Sequence, residues 1–104
     1  MRMLMKVSLP VDKGNEVFQS GTFPKTMETI LAEQKPEAAY FCANHDMRGG
    51  FLVANMKDTS EIPAFAEPWF LAFNAKVSLR PVMTPQDLAA AGPAIASAAK
   101  HYGG

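Results

Sequence analysis

The chain begins with a regular alternation of apolar and mixed positions. One side of this alternation is entirely apolar and consists of Met3, Met5, Val7 and Leu9. The other side consists of Leu4, Lys6 and Ser8. A period of two predicts a β-strand with one buried face, and the proline at position 10 ends that strand.

A second alternation runs from Ala75 to Val82 and predicts another strand. Its polar side consists of Lys76, Ser78 and Arg80. Between these two strands, residues 38–44 and 50–56 are rich in apolar, aromatic and small residues. They predict a β-hairpin that has Gly49 and Gly50 in its turn.

Apolar residues recur at helical spacing in three stretches, which lie after the first strand, after the hairpin and at the end of the chain. The apolar positions of the second stretch are Ile62, Phe65, Ala66, Trp69 and Phe73. Pro68 lacks a backbone donor, so it should kink or divide that helix. In the third stretch, Thr84 and Pro85 form a strong helix start, and Gly92-Pro93 ends one helical piece and begins another.

The order of these elements is β-α-β-β-α-β followed by a terminal helix. This order predicts an α+β domain of the ferredoxin-like type over residues 1–104, with a four-stranded antiparallel sheet and its helices on one face. The first and third strands should be central. The opposite, open face should then carry Lys6, Ser8, Lys76, Ser78 and Arg80.

The hairpin can present either of two residue sets to this open face. For its first strand the alternatives are Tyr40, Cys42 and Asn44 or Ala39, Phe41 and Ala43. For its second strand they are Phe51, Val53 and Asn55 or Leu52, Ala54 and Met56. We favour Tyr40 and Asn55 for the open face, which would then mix apolar and cationic surface.

Composition excludes several classes of partner. Ten Lys and Arg balance ten Asp and Glu without a like-charged block, which argues against a nucleic-acid partner. No apolar run approaches the roughly 20 residues that span a bilayer, and charge interrupts the first residues before a signal-peptide core can form. We therefore expect a cytoplasmic protein without a membrane partner. Because the single cysteine, Cys42, excludes an intrachain disulfide, we expect this small domain to gain stability as a homodimer.

In element order and size the whole chain resembles the dimeric α/β-barrel superfamily. The segments Lys35–Phe41, Ile62–Pro68 and Pro81–Thr84 resemble a family of short bacterial proteins within it that has no assigned function. The resemblance implies that two sheets face each other to close a barrel, and that ligands commonly sit in a cleft between sheet and helices of each subunit. Because this fold supports many chemistries, the resemblance implies no single activity.

Neither the residues nor the resemblance predicts a metal or a cofactor. Two histidines and one cysteine, without a CxxC or HExxH motif, do not support a metal site. Haem-degrading relatives use an Asn on a strand, a Trp and a helical His. The first strand here has Lys6 and Ser8 but no Asn, and neither histidine lies in the middle of a predicted helix, so we expect no haem.

The candidate ligand-binding residues are Lys6, Tyr40, Asn55, Trp69, Phe73, Lys76 and Arg80. Enclosing two or three cations in a dimer is costly unless an anion, a partner carboxylate or water matches them. We therefore predict a small acidic or aromatic metabolite held by Arg80, with the aromatic residues on its less polar side. The alternatives are a solvated cationic face, or a cofactor-independent monooxygenase or isomerase that acts on a small aromatic or hydrophobic acid.

Overall fold

The computed structural model describes residues 1–103. The strands are β1 (Arg2–Leu9), β2 (Ala38–Asn44), β3 (Met47–Asn55) and β4 (Lys76–Pro81). The helices are α1 (Val11–Gln19), α2 (Phe23–Gln34), α3 (Ile62–Phe73), α4 (Pro85–Ala90) and α5 (Gly92–Tyr102), and a 3-10 turn (Thr59–Glu61) precedes α3. None of these helices is long and apolar enough to cross a membrane.

The four strands form one antiparallel sheet in the order β2–β3–β1–β4. The ferredoxin-like prediction is therefore confirmed, with β1 and β3 in the centre. The apolar side of β1 faces the helices, since Met5 and Val7 are almost completely buried. They pack with Leu52 of β3 and with Trp69 and Phe73 of α3 in a core between sheet and helices.

The β2–β3 hairpin differs from its prediction. Its turn is His45-Asp46, and both residues have positive φ, of 51° and 64°, as a two-residue type I′ turn requires. Gly49 and Gly50 instead lie inside β3. A Cβ on Gly50 would lie 2.6 Å from the Tyr40 carbonyl oxygen, so glycine serves close packing here and not the turn.

Of the two predicted effects of Pro68, division of the helix is wrong, because α3 continues through that residue. A proline at position 68 frees the carbonyl of Ala64, four residues earlier. The Gln34 side chain on α2 donates to this carbonyl at 3.4 Å and to that of Phe65 at 3.0 Å. Gln34 also accepts a hydrogen bond from the Trp69 indole at 3.2 Å. One amide therefore supplies the donor that proline removes and satisfies the buried indole.

Candidate ligand-binding cleft

The strand register brings five of the seven predicted site residues onto the open face of the sheet. On β1, Leu4 pairs with Arg80, Lys6 with Ser78, and Ser8 with Lys76. Directly paired residues share a face. The three cations Lys6, Lys76 and Arg80 therefore form one patch. On the other side of β1, Lys6 pairs with Phe51, which pairs with Tyr40.

Asn55 lies at one end of this face, where it takes part in a small network. Its amide donates to Glu37 at 2.6 Å, and the Arg2 guanidinium donates to the other oxygen of the same carboxylate at 3.0 Å. The bond from Asn55, and then that from Arg2, lowers the pKa of Glu37 below its ordinary value. Asn55 is thus engaged by a neighbouring carboxylate in this structure.

Trp69 and Phe73 lie on the opposite side of the sheet. Both are completely buried in the core, with their ring centroids 5.8 Å apart. The sheet separates them from Arg80, so they cannot form the less polar wall of one cavity with the three cations. That part of the predicted arrangement is wrong, because the apolar face of α3 packs on the helix-covered side of the sheet.

A different cavity lies on the helix-covered side, between the first two helices and the β2–β3 hairpin. Its volume is about 460 Å³, within the range of small-molecule sites. Its wall is almost wholly apolar and is formed by Val7, Leu9, Phe18, Phe23, Met27, Phe41, Cys42, Ala43, Arg48, Gly49 and Trp69. We call this cavity the cleft.

The cleft exists because no helix covers the edge strand β2. Phe41 and Ala43 are on the helix side of that strand but remain exposed. The Phe41 ring lies against Gly50, where an added Cβ would meet the ring at 2.8 Å. Phe18 and Phe23 stack with centroids 4.1 Å apart on the opposite wall. The cleft therefore offers aromatic surface on two sides.

Arg48 is the only charged residue among those that line the cleft within residues 1–103. Its guanidinium lies over the Phe18 ring, 4.8 Å from the centroid, and donates to the Asn15 side-chain oxygen at 3.0 Å. It passes so close to α1 that a Cβ on Gly14 would lie 2.7 Å from its Nη1. A glycine in the middle of this helix thus leaves room for the guanidinium.

The sequence reasoning missed Arg48 because it placed Gly49 and Gly50 in the hairpin turn. With the turn at His45-Asp46, Arg48 belongs to β3 and pairs with Leu9, a core residue of β1. An arginine on an otherwise apolar strand face was the signal that could have identified it.

Within residues 1–103, no three His, Cys, Asp or Glu side chains lie close enough together to hold a metal ion. The cleft itself contains no carboxylate or imidazole among the residues of the described chain that line it. Cys42 is a free, exposed thiol. The residues that line the cleft therefore offer apolar contact, one fixed positive charge and, at Cys42, a thiol.

Comparison with known proteins places this arrangement in context. Residues 1–96 match the family described as a domain of unknown function, DUF3303. The chain belongs to that family. No curated protein matches the chain.

A similar solved structure is 5-chloro-2-hydroxyhydroquinone dehydrochlorinase (TftG) from Burkholderia phenoliruptrix AC1100, in complex with 2,5-dihydroxybenzoquinone. The match has a TM-score of 0.57 and 16% sequence identity, and it covers 83% of this chain and 97% of the other. At this identity the likeness shows a shared fold. It agrees with the α+β architecture described above.

Proposed function

We propose that this protein binds a small aromatic acid in the cleft, with the ring between the aromatic walls and the carboxylate at Arg48. The observation that carries the proposal is a cavity of about 460 Å³ whose apolar lining includes a single guanidinium. A guanidinium can hold a carboxylate through two parallel hydrogen bonds. Among the described residues, the Arg48 guanidinium makes one side-chain hydrogen bond, to Asn15, and no ion pair.

A binding role is better supported than the isomerase or monooxygenase alternative. General acid–base catalysis needs a titratable group within hydrogen-bond reach of the reacting atom. The residues of the described chain that line the cleft include no Asp, Glu, His or Tyr. Cys42 lines the cleft, but it shares with Tyr40 the side of β2 that belongs to the open face. The dehydrochlorinase with a similar fold was solved in complex with a six-membered-ring quinone, which supports a ligand of that size for this cleft.

The test uses benzoate and 2,5-dihydroxybenzoate as probes, with benzamide as the uncharged match for benzoate. Trp69 is the single tryptophan of the chain and lines the cleft, so its fluorescence reports occupancy. We expect the acids to quench or shift this emission and benzamide to do so much more weakly. Arg48→Gln should abolish the preference for the acid, whereas Arg80→Gln removes the same charge from the other face and should leave the preference intact.

Two results would contradict the cleft proposal. One is an Arg48→Gln protein that keeps the wild-type preference for acids over benzamide. The other is a wild-type protein whose tryptophan emission responds to none of the probes up to millimolar concentration.

We also propose that the protein forms a homodimer through the open face of the sheet. This face combines half-buried Leu4, Phe51 and Val53 with Tyr40, which is 71% exposed. Such a surface is typical of a contact between subunits. Light scattering coupled to gel filtration at micromolar concentration should give a mass near 23 kDa, about twice the 11.3 kDa of the chain. A clean 11-kDa species would refute the dimer.

A second anion site is proposed within that dimer. Lys6, Lys76 and Arg80 have no ion-pair partner among the described residues. Two copies that meet face to face would bring six such cations around one lumen, which needs anions or water to match it. Succinate, which has charge but no ring, is the probe for this site, and its binding should depend on Arg80 and not on Arg48.

A further inference from the structure

The C-terminal segment Met83–Tyr102, which contains α4 and α5, projects from the rest of the chain. We call it the arm. None of its residues is buried, and all those from 93 onward are exposed. The molecule measures 59 × 28 × 20 Å, and its radius of gyration is 17.6 Å, whereas a compact chain of this length has a radius of about 13 Å. The arm therefore does not fold back onto its own domain.

Four large apolar side chains of the arm are exposed to solvent. Ile95, Ala98 and Tyr102 lie on one face of α5 because they follow helical spacing, and Ile95 and Tyr102 are 54% and 89% exposed. Met83 and Leu88, at the start of the arm, are 65% and 50% exposed. This pattern resembles the apolar face of a helix that packs against another surface.

Local interactions alone do not stabilise such a helix. α5 has 11 residues, and isolated helices shorter than about 12–15 residues are marginal in water. The capping box of Thr84 and Asp87 fixes the start of α4, but α5 has no side-chain cap at its N-terminus. Packing against another surface is the remaining source of stability.

The accessible surface indicates how much area remains to be covered. The chain exposes 7016 Å², whereas a compact monomer of 11.3 kDa exposes about 5,700 Å². The excess of roughly 1,300 Å² exceeds the approximately 800 Å² that each partner buries in a standard stable interface. The chain thus leaves enough surface for a dimer contact.

The starting point of the arm indicates a second copy as the partner. The arm follows directly from the edge strand β4, and Val82 still bonds to Arg2 of β1. It therefore begins at the border of the open face on which the proposed homodimer forms. α5 spans about 16 Å at 1.5 Å per residue, enough to extend from that border over part of a neighbouring subunit.

We propose that the arm of each chain packs its Ile95–Tyr102 face against the second copy in the homodimer, so that the two subunits exchange arms. This inference rests on the dimer proposed above. It assigns to the arm a role in holding the subunits together, in addition to the contact between the open faces.

The test compares two full-length variants by sedimentation velocity across a dilution series. Ile95→Asp places a charge on the apolar face of α5, and Ser97→Asp places the same charge on the opposite face. We expect Ile95→Asp to raise the dimer dissociation constant at least tenfold and Ser97→Asp to change it less than twofold. The near-ultraviolet circular dichroism of the buried Trp69 should be unchanged in both, which would exclude unfolding of the core.

Hydrogen exchange supplies a second measurement. The amides of α5 should be protected in the wild-type dimer and should exchange freely in Ile95→Asp. The arm inference is refuted, while the dimer stands, if the wild type is a dimer and Ile95→Asp dissociates as the wild type does. It is also refuted if the α5 amides of the dimeric wild type exchange at free-chain rates. A monomeric wild type would refute both.

Discussion

Gly14→Ala tests whether the close approach of Arg48 to α1 matters for binding. In an ordinary helix interior this change stabilises by about 0.5–1 kcal/mol, because alanine loses less backbone entropy on folding. Here the new Cβ would lie 2.7 Å from Nη1 of Arg48. The guanidinium must then move by at least about 0.7 Å to restore ordinary van der Waals contact.

That displacement weakens two interactions of Arg48, and the free energy lost is similar to the stabilisation expected from the alanine. The hydrogen bond from Arg48 to Asn15 and the contact with the Phe18 ring lie near the surface, where each contributes about 0.5–1 kcal/mol. We expect the two effects nearly to cancel, so that the midpoint of thermal unfolding shifts by less than about 5 °C. Affinity for benzoate should fall by about three- to tenfold, because the carboxylate can no longer be held in the wild-type geometry.

Gly92→Ala is the matched control. Gly92 also lies in a helix, and an added Cβ there meets no atom within 4 Å. Benzoate affinity should therefore be that of the wild type. Titrations followed by Trp69 fluorescence, together with thermal unfolding, give both quantities for each variant. If Gly14→Ala is clearly more stable and binds benzoate as the wild type does, Arg48 does not hold the ligand from the position described.

Three further predictions follow from the hydrogen bonds and charges. Gln34→Leu should destabilise the protein by about 1–3 kcal/mol in urea unfolding, because it leaves the buried Trp69 indole and the Ala64 carbonyl unpaired. The same change should destabilise a Pro68→Ala protein less, because the backbone amide at that position can then donate to the carbonyl. Because the pKa of Glu37 is lowered in the folded protein, its carboxylate contributes stability that is fully present above pH 4.5, the ordinary pKa, and is lost as the pH falls through the lowered pKa. Glu37→Gln should therefore make the free energy of unfolding less dependent on pH in this acid range. Arg80→Ala should weaken succinate binding by about ten- to a hundredfold in calorimetry, and unchanged affinity would contradict the anion site.

The faces of the strands could be predicted from the sequence because side chains alternate strictly along a strand. The apolar side of β1 identified the core, and Tyr40 and Asn55 lie on the open face as the pattern favoured. The three cations share that face because β4 pairs with β1 in the register that places Lys6 opposite Ser78. Period-two patterning was sufficient for these assignments.

Two departures have local physical causes that a pattern of single residues does not contain. His45 and Asp46 form the turn with positive φ, although neither is glycine. Gly49 and Gly50 therefore lie inside β3, where they allow close packing. Pro68 remains within α3 because Gln34, from another helix, supplies the missing donor. Such a compensation depends on tertiary contact and cannot be inferred from helical spacing.

The cleft required the same kind of tertiary information. It arises where α1 and α2 leave the edge strand uncovered and where Gly14 lets Arg48 cross the first helix. The cleft is complete in one chain, since its aromatic walls and its guanidinium all come from the same copy. The cationic patch around Arg80 is enclosed only when a second open face covers it. Binding of aromatic acids in the cleft should therefore be independent of protein concentration, whereas succinate binding at Arg80 should weaken as the proposed dimer dissociates.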